Sequence, residues 1–503
     1  MSGSAQQTHR GAAHWRAAAR TVQPRCDAFV DGAFVPSALG DRFATVNPAT
    51  GEVLAKVAAG AAEDVDRAVA AARRAFADGR WSERAPADRK AVLLRLADLV
   101  RERAEELALL DSLDAGKLIA DTTAIDVPGS AAILQWYAEG VDKVYGEIAP
   151  TGPDDLALVS REPLGVIGAV VPWNYPLETA VWKLAPALAA GNSVVLKPAE
   201  ESPLSALRLA ELAAEAGLPD GVLNVVPGTG PVAGQALGRH PDVDVLAFTG
   251  STAVGKLFQR YAGESNMKQV WLECGGKSAN VVFPDAADLD AVADGVVAGI
   301  FNNQGQVCSA NSRLLVHRSV KDDLLARVVD RAAALRPGDP LDPATRLGPL
   351  VSEEHAARVQ EYVELGRREG RAVLDGGLVA GAPTGAYLAP AVFDEVAPDS
   401  RLAREEVFGP VLAVFPFETE DEAVALANDS VYGLAASVWT DSLRRAHRTA
   451  RRLRAGTVSV NTVDALDVTT PFGGFGQSGN GRDLSLHALQ NYTALKTTWV
   501  NHR

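Results

Sequence analysis

VIGAVV at 166–171 opens the stretch that decides the fold, followed by SVVLK at 193–197, VLNVV at 222–226, VDVLAFT at 243–249 and QVWLE at 269–273. Helical segments separate these runs, around Ala180 to Ala190 and from Pro203, Val232 and Thr252. Strand and helix alternating in this way predict a parallel, doubly wound α/β sheet. Several runs are continuously apolar rather than alternating, as strands covered by helices on both faces should be.

Downstream, ANVVF at 279–283, RLLVH at 313–317, VLAVF at 411–415, AASVW at 435–439 and TVSVN at 457–461 predict a second α/β unit. Upstream, residues 63–110 are rich in Ala, Leu, Arg and Glu at helical spacing, with Asp64 and Asp88 as candidate caps. Two segments belong to neither layer. Gly146 to Glu162 reads as a hairpin around Gly152-Pro153, and YTALKTTWV at 492–500 has strand composition. Exposed strands of this kind invite pairing across a subunit boundary.

The chain has 503 residues, enough for about three folding units at roughly 150 residues each. Its 49 basic and 63 acidic residues give a net charge of −14, which repels phosphate backbones and argues against nucleic acid as a partner. Leu164 to Trp173 is the longest apolar run, far short of the roughly 20 residues a membrane span needs, so no membrane association is expected. Cys26, Cys274 and Cys308 are too few for a disulfide framework and fit a reducing, cytoplasmic setting. No CxxC, HExxH or His–carboxylate cluster occurs, so no metal is expected. Residues 1–25 carry Arg10, Arg16, Arg20 and Arg25 without an acid, as organellar transit peptides do; lacking an apolar secretion core, they read as a basic leader and a short Ala-rich helix.

Gly250 to Lys256 (GSTAVGK) follows a strand and opens a helix, yet Leu257 stands where a magnesium-binding Ser or Thr completes a P-loop. An NTPase is therefore disfavoured, while a helix N-terminus with Gly250 and Ser251 still offers N–H groups to a pyrophosphate. Gly228 to Gly234 (GTGPVAG) is one residue off the dinucleotide fingerprint and follows a strand of the same sheet. Lys197 and Glu200 end the SVVLK strand, where a carboxylate suits ribose hydroxyls and opposes a 2′-phosphate, favouring NAD over NADP. Cys308 lies in a glycine-containing turn, FNNQGQVCS at 301–309, and Glu273 ends a strand beside Gly275 and Gly276, a nucleophile and a base in outline.

WNYP at 173–176, KPAE at 197–200, FTGSTAVG at 248–255, LECGGKS at 272–278, GQVCS at 305–309, EEVFGP at 405–410 and PFGG at 471–474 together resemble the NAD(P)-dependent aldehyde dehydrogenase superfamily, in order across almost the whole chain. The resemblance implies an aldehyde dehydrogenase-like fold: a doubly wound cofactor domain at 26–145 and 163–275, an α/β catalytic domain at 276–480, and a small β oligomerisation element at 146–162 and 481–503, after the leader at 1–25. It implies homodimers or homotetramers, NAD as cofactor and an aldehyde as small-molecule substrate. By motif, Cys308 is the nucleophile that forms a thiohemiacetal and then a thioester, Asn174 the oxyanion donor and Glu273 the general base, with Lys183 in a polar relay beside it. Lys197 and Glu200 would hold the adenosine ribose, Ser251 a pyrophosphate oxygen, Glu406 the nicotinamide ribose and Phe408 the nicotinamide, with Trp173, Gly230, Gly250 and Val254 completing the cofactor site.

Two departures stand out: Cys274 where Leu or Ala is usual, expected to pack like Ala, with an oxidisable second thiol beside Glu273 as the alternative, and Asp483 where many relatives have Glu. The segments around Glu273, Cys308 and SGNGRDLSLHAL at 478–489 most resemble the branch that oxidises aminoaldehydes such as 4-(γ-glutamylamino)butanal and 4-guanidinobutanal. Tyr175, Trp182, Phe301 and Phe472 are expected to form an aromatic sleeve for a cationic or amide-bearing tail. Betaine aldehyde or a broad range of aliphatic aldehydes is the competing substrate reading, the former weakened because its relatives carry a tryptophan near Asn302.

Overall fold

The structure, a computed structural model, describes residues 10–503; the first nine residues of the expected leader lie outside it. The rest of the leader contains the short Ala-rich helix Ala12–Ala19, pinned by the buried Trp15.

Five parallel strands form the heart of the first sheet, in the order Gln269–Cys274, Val245–Gly250, Val166–Val170, Ser193–Lys197 and Leu223–Val225. Their side chains are buried almost throughout, which explains the unbroken apolar runs. The hairpin Ala28–Val30 with Ala33–Val35 extends this sheet antiparallel at one edge, an addition the sequence reading did not contain. Three-residue strands leave too short a pattern to read.

Helices cover the sheet as expected. Val65, Ala68, Val69, Ala72 and Ala75 form the buried stripe of Ala62–Ala77, at the 3–4 residue spacing that puts them on one face. Asp64 stabilises this helix from inside its first turn rather than as the flanking cap, accepting the N–H of Ala61 at 2.9 Å. Asp88 likewise sits within the first turn of Pro86–Glu102. After Leu223–Val225 the expected helix is a five-residue π turn, Gly230–Gly234, before the short helix Gln235–Arg239.

The chain crosses to a second sheet through Gly275 to Ser278. Its parallel strands run in the order Ala391–Asp394, Val411–Phe417, Arg313–His317, Ala279–Val282, Ala435–Trp439 and Thr457–Val460, with Arg371–Leu374 antiparallel at one edge. A third sheet joins Glu147–Ala149, Asp155–Pro163 and Thr493–Asn501; the last two strands pair antiparallel, from Thr493 opposite Pro163 to Asn501 opposite Asp155. Among the described residues, no helix is long and apolar enough to cross a membrane.

Candidate active site

Val166–Val170 is flanked by Ser193–Lys197 on one side and Val245–Gly250 on the other, so successive connections leave it in opposite directions. Such a switch point opens a crevice at the carboxyl ends of the strands. Residues at and just beyond these ends line a cavity of about 880 Å³, together with Cys308 and Phe408, which precede strands of the second sheet.

One part of the cavity is polar and backbone-rich. Lys197 Nζ lies 2.7 Å from Glu200, whose other oxygen accepts the Gly230 N–H at 3.2 Å. Burial opposes ionisation of Glu200, but Lys197 and these hydrogen bonds hold its carboxyl below the usual range. Ser251 caps the helix Thr252–Glu264 through the N–H of Val254, and Gly250, Ser251 and Val254 all line the cavity. Lys256 does not: it donates to Gln477 at 2.9 Å, so the P-loop-like lysine is tied up outside the cavity.

Further along, Glu406 accepts the Gly276 N–H at 3.0 Å, and burial raises its carboxyl to about 7. A side chain on Gly275 would place its Cβ 2.0 Å from Glu406, so glycine is what lets the two segments meet. Trp173 stands edge-on to Phe408, with ring centroids 5.3 Å apart, and His355 packs edge-on to Trp173 at 5.2 Å. His355 Nε2–H donates to the Phe408 carbonyl at 2.8 Å; burial lowers the imidazole to about 4 and keeps it neutral.

Cys308 lines the same cavity. The helix Leu289–Phe301 stops in a turn in which Asn303, Gln304 and Gly305 all adopt positive φ. At Gly305 any Cβ would fall 2.2 Å from the Gly409 carbonyl, so the turn that presents Cys308 requires glycine. Asn174 is held from several sides: its side-chain amide donates to the Gln306 carbonyl at 2.9 Å, and its backbone carbonyl accepts from Lys117 at 3.0 Å and Asn303 at 3.1 Å. A second amide hydrogen of Asn174 remains beyond the one given to Gln306.

Glu273 is 1% exposed, lines the cavity, and neither of its carboxylate oxygens has a hydrogen-bond partner. Burial, then the charge of Asp483, push its carboxyl well above the ordinary range, against the opposing pull of Lys183 and Arg482. Cys308 is also pushed well up, by burial and then by the carboxyls of Glu273, Asp464 and Glu406. Burial thus disfavours the charged form of both groups.

Lys183 stands behind the cavity wall, paired with Asp483. Tyr175, Trp182 and Phe472 line the cavity, the last two edge-on at 5.3 Å, while the face of the Tyr175 ring already carries the Lys117 ammonium at 3.6 Å. Phe301 is a correction. It is 2% exposed and packs with Val282, Ile300 and Leu314 in the core of the second unit; it ends its helix on the core face, and Asn302 takes the place in the cavity wall. Cys274 packs as a small buried residue, as expected: its sulfur lies under Gly255, where a Cβ would come within 2.9 Å, and burial, then Glu273, raise its thiol to about 12, unlike an easily oxidised thiolate.

The sequence reading missed Glu178, Ser352, His355, Arg358 and Asp464, all in the cavity wall. Asp464 accepts the Ser309 hydroxyl at 2.6 Å. Among the described residues no group of His, Cys and carboxylates could hold a metal ion.

The model of the aldehyde dehydrogenase family matches residues 34–498. The chain is 54% identical over 489 residues to the NADP/NAD-dependent aldehyde dehydrogenase PuuC of Escherichia coli, covering 97% of this chain and 98% of that protein. The crystal structure of γ-glutamyl-γ-aminobutyraldehyde dehydrogenase from Burkholderia cenocepacia superimposes with a TM-score of 0.96 at 54% identity, covering 98% of this chain and all of that one. An indole-3-acetaldehyde dehydrogenase solved with NAD+ also gives 0.96, at 52% identity and the same coverage. With its motifs gathered around one cavity and a family match along almost its whole length, this chain belongs to the aldehyde dehydrogenase family.

Proposed function

We propose that this aldehyde dehydrogenase oxidises an aminoaldehyde to the corresponding acid with NAD, through a thioester on Cys308. The observation that carries the reading is the meeting of Cys308, Glu273 and Asn174 in one cavity with Lys197, Glu200, Ser251 and Glu406. One relative named for γ-glutamyl-γ-aminobutyraldehyde supports the substrate, and another, an indole-3-acetaldehyde dehydrogenase solved with NAD+, supports the cofactor.

The residues present fit a dinucleotide. Glu200 keeps an ionised carboxylate for ribose hydroxyls, Gly230 leaves open space beside its backbone, and Ser251 offers a helix N-terminus to the pyrophosphate. Glu406 is the second ribose acceptor, with Phe408 and Trp173, edge-on to each other, in the same cavity wall. NAD, when bound, supplies the acceptor for the hydride lost by the substrate carbon. The unit 26–145 with 163–275 is assigned to the cofactor, and 276–480 to catalysis.

Cys308 gives up its proton to solvent, the one proton released in the overall reaction, and its sulfur attacks the aldehyde carbon. The oxygen that becomes negative is met by the amide of Asn174 and the N–H of Cys308, donors held in place before charge develops. Oxidation of this thiohemiacetal leaves a thioester on Cys308. Glu273, an unusually strong base once ionised because its burial disfavours the anion, takes a proton from water as the water attacks the thioester carbon. The C–S bond breaks, the acid leaves, and the thiolate regains its proton.

Ile148, Leu495 and Trp499 are 73, 61 and 60% exposed on the third sheet, which supports its role as the contact between copies in a cytoplasmic homodimer or homotetramer. A monomer in sedimentation would overturn that assignment. The substrate reading is tested by kcat/KM for NADH formation with 4-guanidinobutanal, 4-(γ-glutamylamino)butanal, betaine aldehyde, indole-3-acetaldehyde and propanal. The first two are expected to lead; a clear preference for any of the others overturns the aminoaldehyde reading.

A further inference from the structure

The helix Pro176–Ala190 has the sequence PLETAVWKLAPALAA, apolar except for a few positions, and it forms one wall of the cavity through Glu178, Thr179 and Trp182. Glu178 and Trp182 are four residues apart, which puts them on one face of the helix. Charged side chains seldom enter such a wall without a partner. Glu178 has none among the described residues: no ion pair and no well-aligned hydrogen bond, with the Trp182 side chain near enough only to favour its charged form. The carboxyl rests against Gly129, where a Cβ would lie in ordinary contact, 3.4 Å from Oε1.

The obvious internal cation is already committed. Lys117 lies 3.2 Å from Asp126, donates to the Asn174 carbonyl and covers the face of Tyr175. Burial, then the charge of Asp126, raise the Glu178 carboxyl to about 8 against the weaker pull of Lys117, so a cation placed beside it would favour the carboxylate. The wall thus combines an unpaired carboxyl with the rings of Trp182 and Phe472, in the same cavity as the nucleophile. An ammonium or guanidinium satisfies both: it pairs with the carboxylate and sits favourably against ring faces.

We propose that Glu178 determines substrate choice by pairing with a cationic group at the end of the aldehyde remote from its carbonyl. The proposal deepens the aminoaldehyde reading and rests on it. It commits to ammonium or guanidinium ends rather than neutral alkyl or indole ones.

The test compares kcat/KM for 4-guanidinobutanal with that for hexanal in the wild-type enzyme, Glu178→Gln and Glu178→Leu, each pair of substrates measured on one preparation. The ratio within a preparation does not depend on the fraction that is folded. The wild type is expected to favour 4-guanidinobutanal, and Glu178→Leu to lower the ratio by about thirtyfold or more, chiefly through KM for the cation, as loss of one partner of a desolvated charge pair does. Glu178→Gln, which keeps the shape and removes the charge, is expected to fall between. A wild-type preference that survives in Glu178→Leu overturns the role of Glu178 and leaves the aminoaldehyde reading standing. No cationic preference in the wild type overturns both.

Discussion

Lys183 and Asp483, 300 positions apart in the chain, form an ion pair in which only 4% of either side chain is exposed. The pair ties the helix Pro176–Ala190, on its side away from the cavity, to the C-terminal segment, and its two charges act on Glu273 in opposite senses. Asp483 makes the Glu273 carboxylate harder to form and Lys183 makes it easier.

Glu273 works as a base only when ionised, so activity should rise as pH increases through its raised range and fall as pH drops below it. Asp483→Asn removes the charge that disfavours the Glu273 anion and leaves the favourable Lys183. The acidic limb of the kcat profile is therefore expected to move to lower pH. Steady-state rates from pH 6 to 10 read this directly, and a limb that stays in place or moves upward contradicts the coupling.

Asn174→Ala removes one oxyanion donor. A loss of kcat on the order of 10²–10³ is expected, the usual effect of deleting such a donor. NAD affinity, followed by fluorescence titration, should change far less. Undiminished turnover would remove Asn174 from the reaction.

The Lys197–Glu200 pair is proposed to set the cofactor preference. Glu200→Gln keeps an acceptor for a ribose hydroxyl but removes the negative charge that repels a 2′-phosphate. The ratio of kcat/KM with NAD to that with NADP is expected to fall by about tenfold. An unchanged ratio would move cofactor discrimination elsewhere in the cavity.

Much of this site is legible in the sequence because its chemistry uses distinctive residues at strand ends and glycine turns. Cys308 beside Gly305 and Glu273 beside Gly275 are examples, and each glycine proves to allow a close approach by another segment. Phe301 misled because neighbours at a helix end point different ways: Phe301 faces the core and Asn302 the cavity. Glu178 did leave a signal, as the single acid in an otherwise largely apolar helix, four residues from Trp182. His355 and Arg358 left none, since they reach the cavity from a helix of the second unit, Glu353–Glu369, whose sequence carries no recognisable motif. Strands of three residues, such as Ala28–Val30 and Ala33–Val35, are fixed by the sheet they join rather than by their own pattern.

The most direct test of the central claim, a thioester on Cys308 resolved by Glu273, is intact-mass and peptide mass spectrometry of Glu273→Gln quenched in acid after mixing with NAD+ and 4-guanidinobutanal. The account predicts an added 4-guanidinobutanoyl group on the peptide containing Cys308, formed with one equivalent of NADH and lost only slowly. Wild-type steady turnover without any adduct, or an adduct that persists when Cys308 is also replaced by Ala, would contradict it.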